Sequence, residues 1–163
     1  MHIAVAGNIG SGKSTLTKLL AKHYGWEPRF EAVEHNPYLE DYYRDIHRWS
    51  FNMEVFFLKE RFRDLITIAQ ADHTIIQDRT IYEGVYVFME NNRDMGNLSK
   101  RDYEQSIQLE YLQNLNRRYD DFIKNKYPGR VITIEKDNLD FLNIPKDLSG
   151  IIDKIDATLF GLF

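Results

Sequence analysis

Residues 7–14 read Gly7-Asn8-Ile9-Gly10-Ser11-Gly12-Lys13-Ser14, which satisfies G-x-x-x-x-G-K-[ST] at every fixed position. These residue types at this spacing bind phosphate. Glycines let consecutive backbone N–H groups turn inward around phosphate oxygens, where side chains would obstruct them. Lys13 is expected to neutralise β- and γ-phosphate charge, and the Ser14 hydroxyl to ligate Mg²⁺. A helix starting at this point adds the positive end of its dipole. The expected ATP-binding span is therefore Gly7, Asn8, Ile9, Gly10, Ser11, Gly12, Lys13, Ser14 and Thr15.

A phosphate loop leaves the phosphoryl acceptor open. A guanine-reading N-K-x-D is absent, and the chain is too short for a motor or AAA-type ATPase. Small phosphotransferases fit best, and three further clusters bear on the acceptor. Glu31, in Phe30-Glu31-Ala32-Val33-Glu34, stands where a strand is expected to end, facing the crevice in which open α/β sheets bind ligands. Asp78-Arg79-Thr80 ends another expected strand; an acid beside an arginine suits metal or hydroxyl positioning plus charge stabilisation. Glu54 and Arg61, seven residues apart, share one face of a long helical segment and suit a base edge. Taken singly, each also has a plainer reading, as a solvated strand end, a surface ion pair and the polar side of a helix respectively.

The elements that must position these groups follow from periodicity. Ile3–Ala6, Arg29–Val33, Thr74–Gln77 and Val131–Glu135 read as strands. Helices are expected from Ser14 to Gly25 and through the run with Phe51, Val55, Leu58, Phe62, Leu65, Ile66 and Ala69. Two more are expected, one with Ile107, Leu112, Leu115, Tyr119 and Phe122, the other with Leu148, Ile151, Ile152 and Ile155. Strands alternating with helices predict a P-loop, doubly wound α/β fold with a parallel sheet and flanking helices. At 163 residues, without linkers or repeats, the chain reads as one domain over 1–163.

Composition narrows the class further. The 21 basic and 25 acidic residues leave a net charge of −4, which supports neither a nucleic-acid partner nor a membrane surface. Absence of cysteine excludes disulfides, thiolate zinc sites and iron–sulfur clusters. Without a basic leader or an apolar run of ~20 residues, a cytoplasmic location is expected.

The ordered segments GNIGSGKS, FEAVEHNPYLEDYY, RWSFNMEVFFLKERF, IIQDRTIYE and YEQSIQLEYLQNLNRRY resemble the deoxynucleoside kinase family, particularly its bacterial purine-preferring branch, over nearly the whole chain. The resemblance implies transfer of the ATP γ-phosphoryl group to a deoxynucleoside 5′-hydroxyl, with Mg²⁺ at Ser14 and Asp78, by a homodimer. It implies Glu31 as acceptor of the 5′-hydroxyl proton, a role often given to Asp78 as well. Arg79 would hold the transferring group, Tyr43 and Glu104 the sugar 3′-hydroxyl, and Arg61 the base, while Arg101 would be a remnant of the lid on the ATP phosphates. Rival expectations are a nucleoside monophosphate kinase and a non-catalytic nucleotide-binding form.

Three departures stand out. The family usually has glutamine where this chain has Glu54, and an acid where it has Gly84. An ionised glutamate only accepts hydrogen bonds, so it would favour a base edge presenting donors, unless the carboxyl is protonated. Between Ser99 and Lys100 a few dozen residues are missing relative to the family, including a strand expected beside the P-loop strand. Val131–Glu135 is the candidate to take that place.

Overall fold

Apolar residues at Ile3 and Val5, and at Ile75 and Ile76, build the middle of a small parallel sheet. The computed structural model describes residues 1–33, 35–95 and 109–161. Within them β1 (His2–Val5), β2 (Glu27–Arg29) and β3 (Ile75–Asp78) pair in the order β1-β3-β2, all parallel. The register sets His2 and Glu27 on either side of Ile75, and Val5 beside Asp78. All four β3 residues are buried, as a central strand covered on both faces requires.

The helices are α1 (Lys13–Tyr24), α2 (Leu39–Arg44), α3 (Ile46–Gln70), α4 (Ile81–Glu83), α5 (Glu90–Asp94), α6 (Leu109–Asp121) and α7 (Pro145–Phe160). A wider π-helical stretch, Gly84–Met89, joins α4 to α5, and another, Phe122–Lys126, extends α6. Gly25 ends α1 in the left-handed region at φ 70°, as its position in the sequence predicts. Leu16, Leu20 and Ala21 of α1 pack with Ile76, Phe141 and Ile151 and Ile155 of α7 as the main core. A second cluster joins Val87 and Phe88 to Leu115, Tyr119 and Phe122.

Three expectations are corrected. The second strand lies at Glu27–Arg29 rather than Arg29–Val33, because the chain leaves the sheet at Phe30 and carries Glu31 into the crevice. Pro28 is tolerated there because, among the described residues, β2 is an edge strand. Val131–Glu135 is not a strand; Ile132 and Ile134 lie half-buried against the main core without joining the sheet. Alternating apolar residues thus signalled extended burial, not pairing, and among the described residues nothing replaces the missing strand beside β1.

The third correction concerns α3. Its buried stripe is Ile46, Ser50, Glu54, Phe57 and Arg61, whereas Phe51, Val55, Phe62 and Ile66 of the apolar stripe are exposed, Phe51 by 63%. The helical period was legible; which face turned inward was not.

Candidate active site

The phosphate loop leaves β1 and enters α1 through Gly10 and Gly12, at φ 74° and 85°, left-handed values that favour glycine. No side chain caps α1, so its first-turn N–H groups stay available for an anion. Lys13 Nζ donates to the Asn8 carbonyl at 2.8 Å, folding the ammonium back over the loop. Burial pulls the Lys13 pKa down, and the Arg79 charge adds to this against opposing Asp78, Glu83 and Glu31. Two contacts brace the loop from elsewhere: Asn8 Nδ2 donates to Asn116 Oδ1 on α6 at 2.6 Å, and Lys136 Nζ to the Gly10 carbonyl at 3.2 Å.

Asp78 ends β3 beside the loop, and its Oδ2 accepts the Ser14 hydroxyl proton. Its Oδ1 is buried without a hydrogen-bond partner among the described residues. A hydroxyl and an orphaned carboxylate oxygen, both hard donors, fit a magnesium ion. No group of three or more His, Cys, Asp or Glu side chains suited to a metal occurs among the described residues. A fully protein-built cage is therefore not what these residues form.

Glu31 lies between two arginines. Arg79 Nη1 donates to its Oε2 at 3.0 Å and Arg61 Nη2 donates to its Oε1. Arg79 adopts φ 66°, a left-handed conformation that non-glycine residues rarely take outside functional sites. Its guanidinium is stacked 4.2 Å from the centre of the Phe88 ring, and that of Arg61 lies 5.0 Å from Phe57. Behind this turn Thr80 and Glu83 form a reciprocal capping box, with Thr80 N donating to Glu83 Oε2 at 2.8 Å. Tyr119 of α6 donates to the other oxygen, Oε1, at 2.9 Å. Burial raises the pKa of both Glu83 and Tyr119.

A cavity of about 720 Å³ opens between the phosphate loop, Glu31 and α3, wide enough for a nucleoside. Glu54, Arg61 and Tyr43 line it, together with Met53, Phe57 and Phe88. Tyr43 stands exposed at the rim, next to buried Tyr42. Glu54 is 4% exposed, with Oε1 accepting from Asn92 Nδ2 at 2.8 Å. Burial pushes its pKa up to about 7, against the nearby Arg61 charge and the Asn92 hydrogen bond.

Gly84 acquires a reason here. A Cβ at this position would lie 2.5 Å from Arg61 Nη1, so the space an acid would need is taken by the guanidinium. The carboxylate partner that Arg61 lacks at residue 84 is Glu31 instead.

The structure thus brings together Lys13, Ser14, Glu31, Tyr43, Glu54, Arg61, Asp78 and Arg79 around one cavity. Arg101 and Glu104, and the junction of Ser99 and Lys100, lie outside the described residues. Sequence reading missed Glu83, Tyr119, Phe88 and Asn92. Thr80-x-x-Glu83 is a capping-box spacing that marks Glu83, whereas nothing local marks Asn92 or Phe88.

A parallel sheet that delivers a phosphate loop, a carboxylate and an Asp-Arg turn to one edge defines a P-loop phosphotransferase-type site. The family profile described as deoxynucleoside kinase matches residues 3–105, and the chain belongs to that family. It is 50% identical over 102 residues to the deoxyadenosine/deoxycytidine kinase of Bacillus subtilis (strain 168), covering 63% of this chain and 47% of the relative. The chain thus spans about half the length of that curated relative. With the deoxyguanosine kinase of the same organism it shares 29% identity over 195 aligned residues, covering 91% of this chain and 93% of the relative. That alignment is longer than the 163-residue chain, so dozens of the relative's residues have no counterpart here. The solved deoxyadenosine kinase of M. mycoides with bound dATP superposes with a TM-score of 0.79 at 26% identity, over 96% of this chain and 99% of that one. Among the described residues, no helix is long and apolar enough to cross a membrane.

Proposed function

We propose that this chain transfers the γ-phosphoryl group of ATP to the 5′-hydroxyl of a deoxynucleoside, purines preferred, as a cytoplasmic homodimer. The observation that carries this reading is Glu31, set at the cavity wall between two guanidinium groups and close to the phosphate loop. Relatives named deoxyadenosine and deoxyguanosine kinases support the purine preference. The exposed apolar stripe of α3 supports a second copy as the dimer partner.

In this mechanism the 5′-hydroxyl oxygen attacks the γ-phosphorus and its proton passes to Glu31. The bond from the γ-phosphorus to the β,γ-bridging oxygen breaks, leaving ADP. Arg79, whose guanidinium is fixed by Glu31 and Phe88, offers donors to the equatorial oxygens, and Lys13 and the α1 N-terminus take the β- and γ-phosphate charge. Asp78 already holds the Ser14 hydroxyl and presents an orphaned oxygen, which fits metal positioning better than proton acceptance. Ser14 and Asp78 would hold a magnesium ion, which when bound would supply positive charge against the phosphates. Arg101 would serve the ATP phosphates and Glu104, with Tyr43, the sugar hydroxyl. An acceptor monophosphate would need a further clamp of arginines, and among the described residues the cavity lining holds only Arg61 and Arg79, which this reading already assigns to the base and to the transferring group.

The relative's residues without a counterpart favour a second reading, a nucleotide-binding form that does not turn over. The deciding assay offers Mg-ATP with each of the four deoxynucleosides and their monophosphates to the purified chain, with Lys13→Ala as blank. Product from a nucleoside is the expected result. Product from monophosphates alone moves the assignment to a monophosphate kinase, and ATP binding without product supports the non-catalytic form.

A further inference from the structure

Glu54 is a carboxyl almost wholly removed from water, and the transfer step makes no use of it. The charged groups facing it are Arg61 from its own helix, Glu31 from the loop after β2 and Arg79 from the turn after β3. Both arginines pair with Glu31, and no ion pair reaches Glu54 among the described residues. Among the described residues its hydrogen bond comes from the neutral Asn92 amide on α5, which occupies Oε1, and the residue lines the cavity. An unpaired charge in such a place is costly, whereas a neutral acid with an amide on its carbonyl oxygen is satisfied.

We propose that Glu54 reads the base of the bound nucleoside as a neutral carboxylic acid, donating its Oε2 proton to an acceptor on the base edge. This rests on the deoxynucleoside reading above and names the chemistry of its base pocket. Arg61, on the same face of α3, is a donor only. Two neighbouring donors complement two neighbouring acceptors, which is the O6/N7 edge of a 6-oxopurine. The glutamate therefore does what a glutamine amide would do as a donor, and it does so only while protonated. Burial that raises its pKa to about 7 places the loss of that proton near neutrality.

The test is calorimetric binding of deoxyguanosine and deoxyadenosine, which needs no turnover. With a midpoint of about 7, about a tenth of Glu54 stays protonated one unit above it. Deoxyguanosine affinity should fall about tenfold between about pH 6 and about pH 8, with a smaller change for deoxyadenosine. Glu54→Gln, whose amide donates at every pH, should bind deoxyguanosine equally at both. A pH-independent wild-type affinity, or a Glu54→Gln variant that loses as much, overturns the proposal and leaves the kinase reading intact. The infrared difference between wild type and Glu54→Gln gives a second readout: a carboxylic C=O band that the wild type shows at the lower pH, loses at the higher, and that Glu54→Gln lacks. Its absence at the lower pH also overturns the proposal. No nucleoside binding at either pH, with ATP still bound, overturns both readings. Binding with the expected pH dependence but no product keeps this proposal and overturns turnover.

Discussion

Both oxygens of Glu31 are occupied by guanidinium groups, and the two arginines reach it from different elements, Arg61 from α3 and Arg79 from the turn after β3. Replacing Glu31 by Ala should abolish phosphoryl transfer while leaving ATP affinity within about twofold, since the hydrogen bonds of this carboxylate go to Arg61 and Arg79 rather than to the phosphate loop among the described residues; a fluorescent ATP analogue and a product assay separate the two. Gly84→Ala should displace Arg61, because the added Cβ would stand 2.5 Å from Nη1. Leaving Glu31 one partner short should cost about 1–3 kcal/mol, readable by urea unfolding, with weakened nucleoside binding. Glu54 makes a further prediction through linkage. Its folded pKa of about 7 lies above the ordinary 4.5, so the folded chain holds a proton that the unfolded chain has released between those values. Stability from this group is full below about pH 4.5, falls as pH rises, and is down by roughly 3 kcal/mol above about pH 7. Unfolding at about pH 5 and about pH 8 should show a smaller difference in Glu54→Gln than in the wild type. At this scale the sequence was legible wherever chemistry imposes a spacing, as from Gly7 to Ser14 or across Asp78-Arg79. It was silent on Asn92 and on why residue 84 is glycine, because both depend on contacts between segments far apart in the chain.

The elements owe their places to contacts that periodicity cannot specify. In α3 the spacing identified a helix with a distinct apolar stripe, yet Glu54 and Arg61 turn inward with Phe57 while Phe51 and Phe62 turn outward. A functional pocket has overridden the simplest sorting of polar and apolar residues. Val131–Glu135 has the alternation of a strand, but backbone pairing needs a neighbour in register, and Ile132 and Ile134 are satisfied by packing alone. Between these elements, α6 reaches the Asp-Arg turn through Tyr119 and the phosphate loop through Asn116. Tyr119→Phe removes the donor to a fully buried Glu83 oxygen. It should destabilise the protein by about 1–3 kcal/mol and lower the transfer rate more than it raises the nucleoside KM, since the Arg79 turn loosens while the pocket wall stays.

At the scale of the whole molecule, the loop after β1, the chain after β2 and the turn after β3 deliver every described group of the transfer site to one edge of the sheet. This parallel arrangement was legible from alternating strands and helices, but the three strands found among the described residues were not, because nothing local says whether a lost strand is replaced. The exposed stripe of α3 belongs to the same scale. Phe51 and Phe62 are 63% and 55% exposed on a long, regular helix, and a dimer would cover them. Sedimentation should find a dimer, and Phe51→Lys combined with Phe62→Glu should turn it into a monomer with its ATP site intact. A wild-type monomer at micromolar concentration would exclude this surface as a dimer interface.

The parallel register also sets how the chain must fold. His2 meets Ile75 across roughly 70 intervening residues and Glu27 meets the same residue across nearly 50, with no hairpin to start either pairing. Loop-closure entropy must be met before any of these contacts stabilises the sheet, so refolding belongs with the slow, non-local topologies. Until β3 is in place, the strand that carries the phosphate loop has no partner on its β3 side. Anything that lengthens this interval exposes His2–Val5 to pairing with other chains, so the yield of folded protein will depend on concentration and temperature during synthesis as much as on final stability.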